Sequence, residues 1–151
     1  MMRSAKLARL LPALALVGLL AACQTLGTDR LIASAAPSEM PQPVAEAIAA
    51  DLVEQLGKDV GPATGTIVLP TDASPFRAAL EASLRAKGYA IGPGGEGRAV
   101  PLAFVVDSTD GEVMARLSTK TLDLTRTYRE TATGAQPSSP VSINRRDRGE
   151  G

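Results

Sequence analysis

The sequence contains no histidine and no tryptophan, and it contains only one cysteine. Ser-His-Asp and Cys-His catalysis both need an imidazole base, so both are excluded, as is a zinc site with histidine ligands. A single cysteine cannot form a disulfide within the chain. Two phenylalanines and two tyrosines are the only aromatic residues, so a small core of aliphatic side chains is expected. We predict no enzyme activity, and no catalytic, cofactor-binding or metal-binding residue.

The segment before the one cysteine, Cys23, has the composition of a secretory signal peptide. Its cations are Arg3, Lys6 and Arg9. An uncharged apolar run follows at residues 10–22 and ends in small residues, which completes the three parts of such a signal. The run is too short to span a bilayer, which takes about 20 residues. Residues 1–22 are therefore predicted to be removed by cleavage between Ala22 and Cys23.

The four residues Leu-Ala-Ala-Cys at positions 20–23 resemble the lipobox of bacterial lipoproteins. The resemblance implies that Cys23 carries acyl chains such as palmitate. Each buried methylene adds about 0.8 kcal/mol, and two or more chains hold a protein stably on a membrane. Gln24 follows the cysteine, and the absence of aspartate there implies the outer membrane, with the domain facing the periplasm. The alternative is a lone cysteine in an ordinary signal peptide or a buried helix.

Without residues 1–22, the chain is long enough for one domain and not for two. All three charges of the leader are basic, so the remaining chain carries a small negative net charge. Direct binding to nucleic acid is not expected, because it needs a concentrated basic face. Residues 23–43 are rich in Ala, Ser, Pro and Thr, and they predict a flexible linker between the lipidated N-terminus and a folded domain.

The pattern from residue 44 predicts an α+β domain at 44–132. Apolar residues at helical spacing predict a first helix at 44–56, with Pro43 at its start and Gly57 at its end. β-Branched residues predict a strand at 65–69. Ser74, Pro75 and Gly88 delimit a second helix, and a short strand follows at 89–91.

Extended structure is predicted beyond residue 100. Residues 102–106 are nearly all apolar and indicate a central strand covered on both faces. The Asp110-Gly111 pair marks a hairpin, and alternating residues predict strands at 112–118 and 122–128. The predicted architecture has two layers, with two helices packed on a mostly antiparallel sheet. Residues 133–151 are predicted to be an extended or disordered tail, in which 141–143 could add one edge strand.

Two motifs suggest ligands but have simpler explanations. The run at residues 92–97 matches G-x-G-x-x-G, yet a strand follows it, whereas a dinucleotide site needs a helix there. Asp107, Asp110 and Glu112 lack the spacing of a calcium-binding loop. Both are interpreted as solvated loops. The arginines near the C-terminus are interrupted by acidic residues and indicate a solvated tail.

Several segments together resemble the TrbH family of conjugal transfer lipoproteins. They are residues 60–64 leading into the strand at 67–69, residues 76–84 with Gly88-Tyr89, Asp110-Gly111 before residues 115–118, and residues 137–143. With the lipobox, their order and spacing cover residues 44–146. The resemblance implies a component of the mating-pair formation apparatus, a type IV secretion system that transfers plasmid DNA. Its implied partners are the membrane and the outer-membrane core subunits of the channel.

Two functions of different classes remain open from the sequence. The first is a lipid-anchored component that assembles or anchors a conjugative secretion channel. The alternative is an envelope lipoprotein that binds peptidoglycan or activates an envelope enzyme, unrelated to conjugation. The signal, the linker and the small domain fit both, and only the family resemblance favours the first.

Overall fold

A computed structural model describes residues 31–94 and 97–147. Ala22 and Cys23, together with the predicted signal peptide and the first part of the predicted linker, lie outside the described residues. No helix in the described part of the chain is long and apolar enough to cross a membrane.

The first helix, α1, spans Gln42–Leu56, as the apolar periodicity predicted. Pro43 lies in its first turn, where a backbone N–H would have no acceptor within the helix, so the lack of an N–H in proline removes no hydrogen bond. One face of α1 is completely buried. Its residues are Val44, Ala45, Ile48, Ala49, Leu52, Val53 and Leu56. Because this stripe runs along the whole helix, α1 packs on both the sheet and the second helix.

The second helix, α2, spans Pro75–Ala86 and begins at the predicted cap. The Ser74 hydroxyl accepts a 3.2 Å hydrogen bond from the Arg77 N–H, which satisfies one of the free donors of the first turn. Gly88 follows the helix with a φ of 92°, a left-handed conformation that favours glycine. Phe76, on the inner face of α2, meets Phe104 edge to face, with ring centroids 5.3 Å apart.

A small parallel sheet joins β1 (Thr66–Val68) and β2 (Ala99–Pro101). The strand predicted at 89–91 is wrong, because only an isolated bridge links Ile91 to Ile67 before the chain turns at Gly92. The apolar run that begins at Val100 is also divided between two sheets. The Leu102 N–H still donates to the Val68 carbonyl at 3.0 Å, and the next strand begins one residue later.

The large sheet has five antiparallel strands. They are β3 (Ala103–Thr109), β4 (Glu112–Ser118), β5 (Leu122–Thr131), β6 (Gly134–Pro137) and β7 (Ser142–Arg145). The order is β3-β4-β5-β6, and β7 pairs with the first half of β5 while β6 pairs with its second half. Asp110 and Gly111 form the predicted hairpin turn with φ angles of 52° and 78°. Two helices and a mostly antiparallel sheet confirm the predicted α+β class.

The prediction that residues 102–106 form a central strand is wrong, since β3 lies at the edge of the large sheet. Its apolar side chains are nevertheless buried, because Phe104 and Val106 pack into the core, where Phe104 meets Phe76 of α2, while Ala35 pairs with Val105 in a parallel bridge along the open side of the strand. Met40 is also buried in the core. Part of the predicted linker at 23–43 therefore packs against the domain.

The C-terminal boundary predicted at residue 132 is too early. β6 and β7 both pair with β5, so residues 134–137 and 142–145 belong to the sheet. β7 is the edge strand anticipated around residues 141–143, whereas β6 has no apolar alternation that would predict it. β6 pairs with β5 and packs against α1, and the approach is close: a Cβ added at Gly134 would lie 3.4 Å from the Ala47 Cβ.

Candidate functional site

The predicted modification residue, Cys23, and the predicted cleavage residue, Ala22, lie outside the described residues. Three polar clusters of the described domain join residues that are distant in the sequence: one lies between α1 and β5, one surrounds Arg146, and one lies at the β3–β4 hairpin.

The first cluster joins Asp51 of α1 to Arg126 and Tyr128 of β5. Arg126 Nη1 lies 3.1 and 3.0 Å from the two carboxylate oxygens of Asp51, and the Tyr128 hydroxyl donates to Asp51 Oδ2 at 2.7 Å. Arg126 Nε also donates to the Ser139 carbonyl at 2.9 Å. Burial, followed by the hydrogen bond to Asp51, raises the pKa of Tyr128 well above its usual value. A neutral phenol, a carboxylate and a guanidinium satisfy one another here, so the cluster fixes α1 on the sheet.

The second cluster surrounds Arg146, just after β7. Its Nη2 atom lies 2.9 Å from Ser118 Oγ, 2.7 Å from the Thr119 carbonyl and 2.8 Å from Asp123 Oδ1. Ser118 in turn donates to Asp123. The buried serine beside a carboxylate is superficially like part of a catalytic triad. The guanidinium pairs with that carboxylate, and the sequence contains no histidine, so the arrangement lacks the imidazole base of a Ser-His-Asp triad.

The third group consists of acidic residues at the β3–β4 hairpin. Glu112 forms a 3.4 Å ion pair with Arg129 on β5, and Glu130 accepts a 3.1 Å hydrogen bond from the Ser108 hydroxyl. No set of three or more acidic or cysteine residues that could hold a metal occurs within residues 31–94 and 97–147. The hairpin therefore presents negative charge without a metal-binding geometry.

The described surface includes two open clefts of similar size. One has a volume of about 270 Å³ beside Tyr89, and the other has about 260 Å³ between β2 and the β4–β5 turn. Both volumes fall below the usual range of small-molecule pockets, about 300–1,000 Å³. The second is lined by Val60, Val100 and Pro101, with Arg98 and threonine side chains around them. Neither brings together groups with an evident reaction.

The edges of the large sheet are the features best suited to protein contact. On β3, the Ala35 N–H donates to the Phe104 carbonyl at 3.0 Å, and the Val106 N–H donates to the Ala35 carbonyl at 2.9 Å. On the other edge, all four residues of β7 are exposed, and Ile143 is one of the exposed large hydrophobic residues. An unpaired strand edge is a template for another strand.

Sequence reasoning did not find the Asp51–Arg126–Tyr128 cluster, because 75 residues separate Asp51 from Arg126. A signal was present in β5, where Leu122, Leu124 and Tyr128 face the core and Arg126 occupies the same face. A cation placed on a buried face requires a partner. The sequence does not identify which carboxylate supplies it.

Comparisons with known proteins agree on one family. The family model described as "Conjugal transfer protein TrbH" matches residues 26–147. The chain is 42% identical over 147 residues to the "Probable conjugal transfer protein TrbH" of Sinorhizobium fredii (strain NBRC 101917 / NGR234), with 92% of this chain and 99% of that protein covered. No solved structure matches. The chain belongs to the TrbH family of conjugal transfer proteins.

Proposed function

We propose that this protein is a lipid-anchored outer-membrane component of a conjugative type IV secretion apparatus, in which it assembles or anchors the channel complex. The observation that carries the proposal is the family match over residues 26–147, which contains the whole described domain. The similar protein of Sinorhizobium fredii is named for conjugal transfer, and the two chains align over nearly their full lengths.

The anchor in this proposal is Cys23, which lies three residues before the matched region begins. Acyl chains on this residue hold the protein at the periplasmic face of the outer membrane, since Gln24 is not the aspartate associated with inner-membrane retention. Two or more chains give stable attachment without a membrane-spanning helix.

The domain in this proposal is a binding module that contacts outer-membrane core subunits of the channel. Three features of the described residues support a binding role. The carboxylates of Asp51 and Asp123 are each paired with a guanidinium group, the two clefts named above are small, and the edge strand β7 is exposed along its whole length. Ion pairs such as Arg145–Asp59, at 2.6 Å, also hold the C-terminal strand in place.

Lipidation is tested with two variants of the full-length protein in cells fed labelled palmitate. Cys23→Ser is expected to lose the label and to leave the outer-membrane fraction, whereas the wild type keeps both. Gln24→Asp is the matched control, because it is expected to retain the label but to move to the inner-membrane fraction. Label on Cys23→Ser would disprove the anchor assignment.

Participation in conjugation is tested by deleting the gene in a donor strain and by affinity purification from detergent-solubilised mating-competent cells. We expect plasmid transfer to fall and channel core subunits to co-purify with the tagged wild-type protein. Unchanged transfer together with no recovery of core subunits would reject the proposal. Co-sedimentation with purified cell wall in that case would favour the peptidoglycan-binding alternative.

A further inference from the structure

The segment that covers the edge of β3 has a backbone bridge to that strand at only one residue, Ala35. The Ala35 N–H donates one hydrogen bond to β3, and the Ala35 carbonyl accepts one from it. The Ser34 hydroxyl accepts a 3.1 Å bond from the Phe104 N–H. To continue this parallel pairing, residue 37 would have to donate its N–H to the Val106 carbonyl. Residue 37 is proline and has no N–H, so the pairing ends there.

The remainder of the β3 edge is open in the described part of the molecule. Because Phe104 and Val106 bond outward to the Ala35 segment, the alternation of an antiparallel strand directs the backbone of Ser108 outward as well. The Val106 carbonyl and both backbone groups of Ser108 have no partner among the described residues. Residues 107–109 are also exposed, so this part of the edge is accessible to solvent.

The charge around this open edge is negative. Asp107 and Asp110 lie beside it with no ion pair among the described residues, and Glu130 is held close by the Ser108 hydroxyl. Glu112 is paired to Arg129, so its charge is offset. A strand whose side chains are acidic would be repelled here, and one with lysine or arginine would be attracted.

We propose that the open edge of β3, from Val106 to Thr109, accepts an extended basic strand of a partner protein. Main-chain hydrogen bonds to Val106 and Ser108 provide the pairing, and the negative charge of Asp107 and Asp110 favours a strand with cationic side chains. This inference goes beyond the proposed role in conjugation and does not depend on the lipid anchor. Pro37 is the positioning residue that keeps the edge open, because it stops the chain's own segment from occupying it.

The test uses the full mature protein in detergent and a peptide of about eight residues that alternates lysine and valine, the class of extended ligand that adds to a sheet edge. Amide spectra are recorded during titration. We expect the Ser108 amide to shift and to become protected from hydrogen exchange, with weaker binding at high salt. A peptide alternating glutamate and valine is expected not to bind. Equal binding of both peptides would overturn the charge argument.

Ser108→Pro removes an outward N–H and leaves the pairing with β4 intact, so it is expected to weaken peptide binding about tenfold or more. Ile143→Pro is the matched control on the opposite edge. The backbone N–H of Arg146 donates to the Thr121 carbonyl of the neighbouring segment. Backbone groups alternate in direction along a strand, so the N–H of Ile143, three residues earlier, points away from β5. Binding that survives Ser108→Pro, or that is lost in Ile143→Pro instead, would overturn the proposal.

Two further measurements keep the test independent of the folding of Ser108→Pro. A lysine–valine peptide with methylated backbone nitrogens at alternate positions is expected to lose binding, because it cannot donate to the Val106 carbonyl. Pro37→Ala is expected to lower the peptide affinity, since the chain's own segment gains the missing donor. Binding of the methylated peptide at full strength would overturn strand addition. Dimerisation through β3 without peptide binding would identify a second copy as the occupant, and would also overturn it.

Discussion

The Tyr128 hydroxyl donates a 2.7 Å hydrogen bond to Asp51 Oδ2 and so joins β5 to α1. Arg126, two residues earlier on the same strand face, binds both oxygens of the same carboxylate. Asp51 therefore receives donors from two side chains of one strand, which fixes both the position and the rotation of the helix. An aliphatic pair would hold the helix on the sheet without specifying its register.

Asp51→Ala is expected to lower the free energy of unfolding by about 2 kcal/mol, because it leaves Arg126 partly buried without its carboxylate. Tyr128→Phe is expected to cost about 1 kcal/mol, since the ion pair remains. Urea denaturation measures both values. The double variant should cost less than the two single costs combined, because both remove the same hydrogen bond. Strict additivity would show that the two residues do not act together.

The second prediction concerns the ionisation of the tyrosines at alkaline pH. The chain has two tyrosines and no tryptophan, so phenolate absorbance reports Tyr89 and Tyr128 alone. Burial raises the pKa of both residues, and the hydrogen bond to Asp51 raises that of Tyr128 further. Because the pKa is higher in the folded state than in the unfolded chain, folding is favoured while both tyrosines are neutral. This contribution to stability is complete below the ordinary pKa of 10.0 and declines as the pH rises above it.

We therefore expect phenolate absorbance to stay low just above pH 10 and to rise together with unfolding. Spectrophotometric titration is compared with far-ultraviolet circular dichroism on the same samples. Tyr89 also donates to the Val60 carbonyl, which favours its neutral form. Half of the phenolate signal appearing near pH 10 while the dichroism is unchanged would contradict the described burial of these side chains.

Both helices and the central hairpin could be predicted from the sequence because their signals are local. The stripe of α1 and the Ser74 cap of α2 depend on residues a few positions apart. Asp110-Gly111 specifies its turn through positive φ angles that few other residue pairs tolerate. These local signals gave the fold class correctly.

The edges of the sheet could not be predicted, because they depend on contacts between distant residues. β3 has the apolar composition of a central strand, but it is covered by Ala35, about 70 residues earlier in the chain. β6 has little apolar character and forms against α1 and β5. The open surface beside Ser108 has the same origin, because it exists only where the Ala35 segment leaves the strand.

The third prediction tests the contact between β1 and the residue before β2. A Cβ added at Gly65 would lie 2.2 Å from the Arg98 carbonyl oxygen, a distance that forces the backbone to move. Gly65→Ala is therefore expected to cost about 2 kcal/mol of unfolding free energy. Gly61→Ala is the matched control, because nothing lies within 4 Å of a Cβ there and its φ is −75°.

Denaturant titration of the two variants should separate them clearly. Gly61→Ala is expected to leave stability unchanged or to raise it by about 0.5 kcal/mol, because alanine restricts the unfolded chain. Similar losses in both variants would show that flexibility around residues 61–65 matters, and that the close approach of Arg98 does not.

The last prediction concerns where the folded domain ends. A chain that stops after Asp147 keeps β6, β7 and the ion pairs of Arg145 and Arg146, so its unfolding should match that of the full chain. A chain that stops after Ala132 loses both strands and exposes the free edge of β5. It also loses the Ser139 carbonyl that accepts from Arg126. We expect this shorter chain to lose cooperative unfolding, measured by thermal denaturation followed by circular dichroism. A cooperative transition in the shorter chain, at a similar midpoint, would restore residue 132 as the end of the domain.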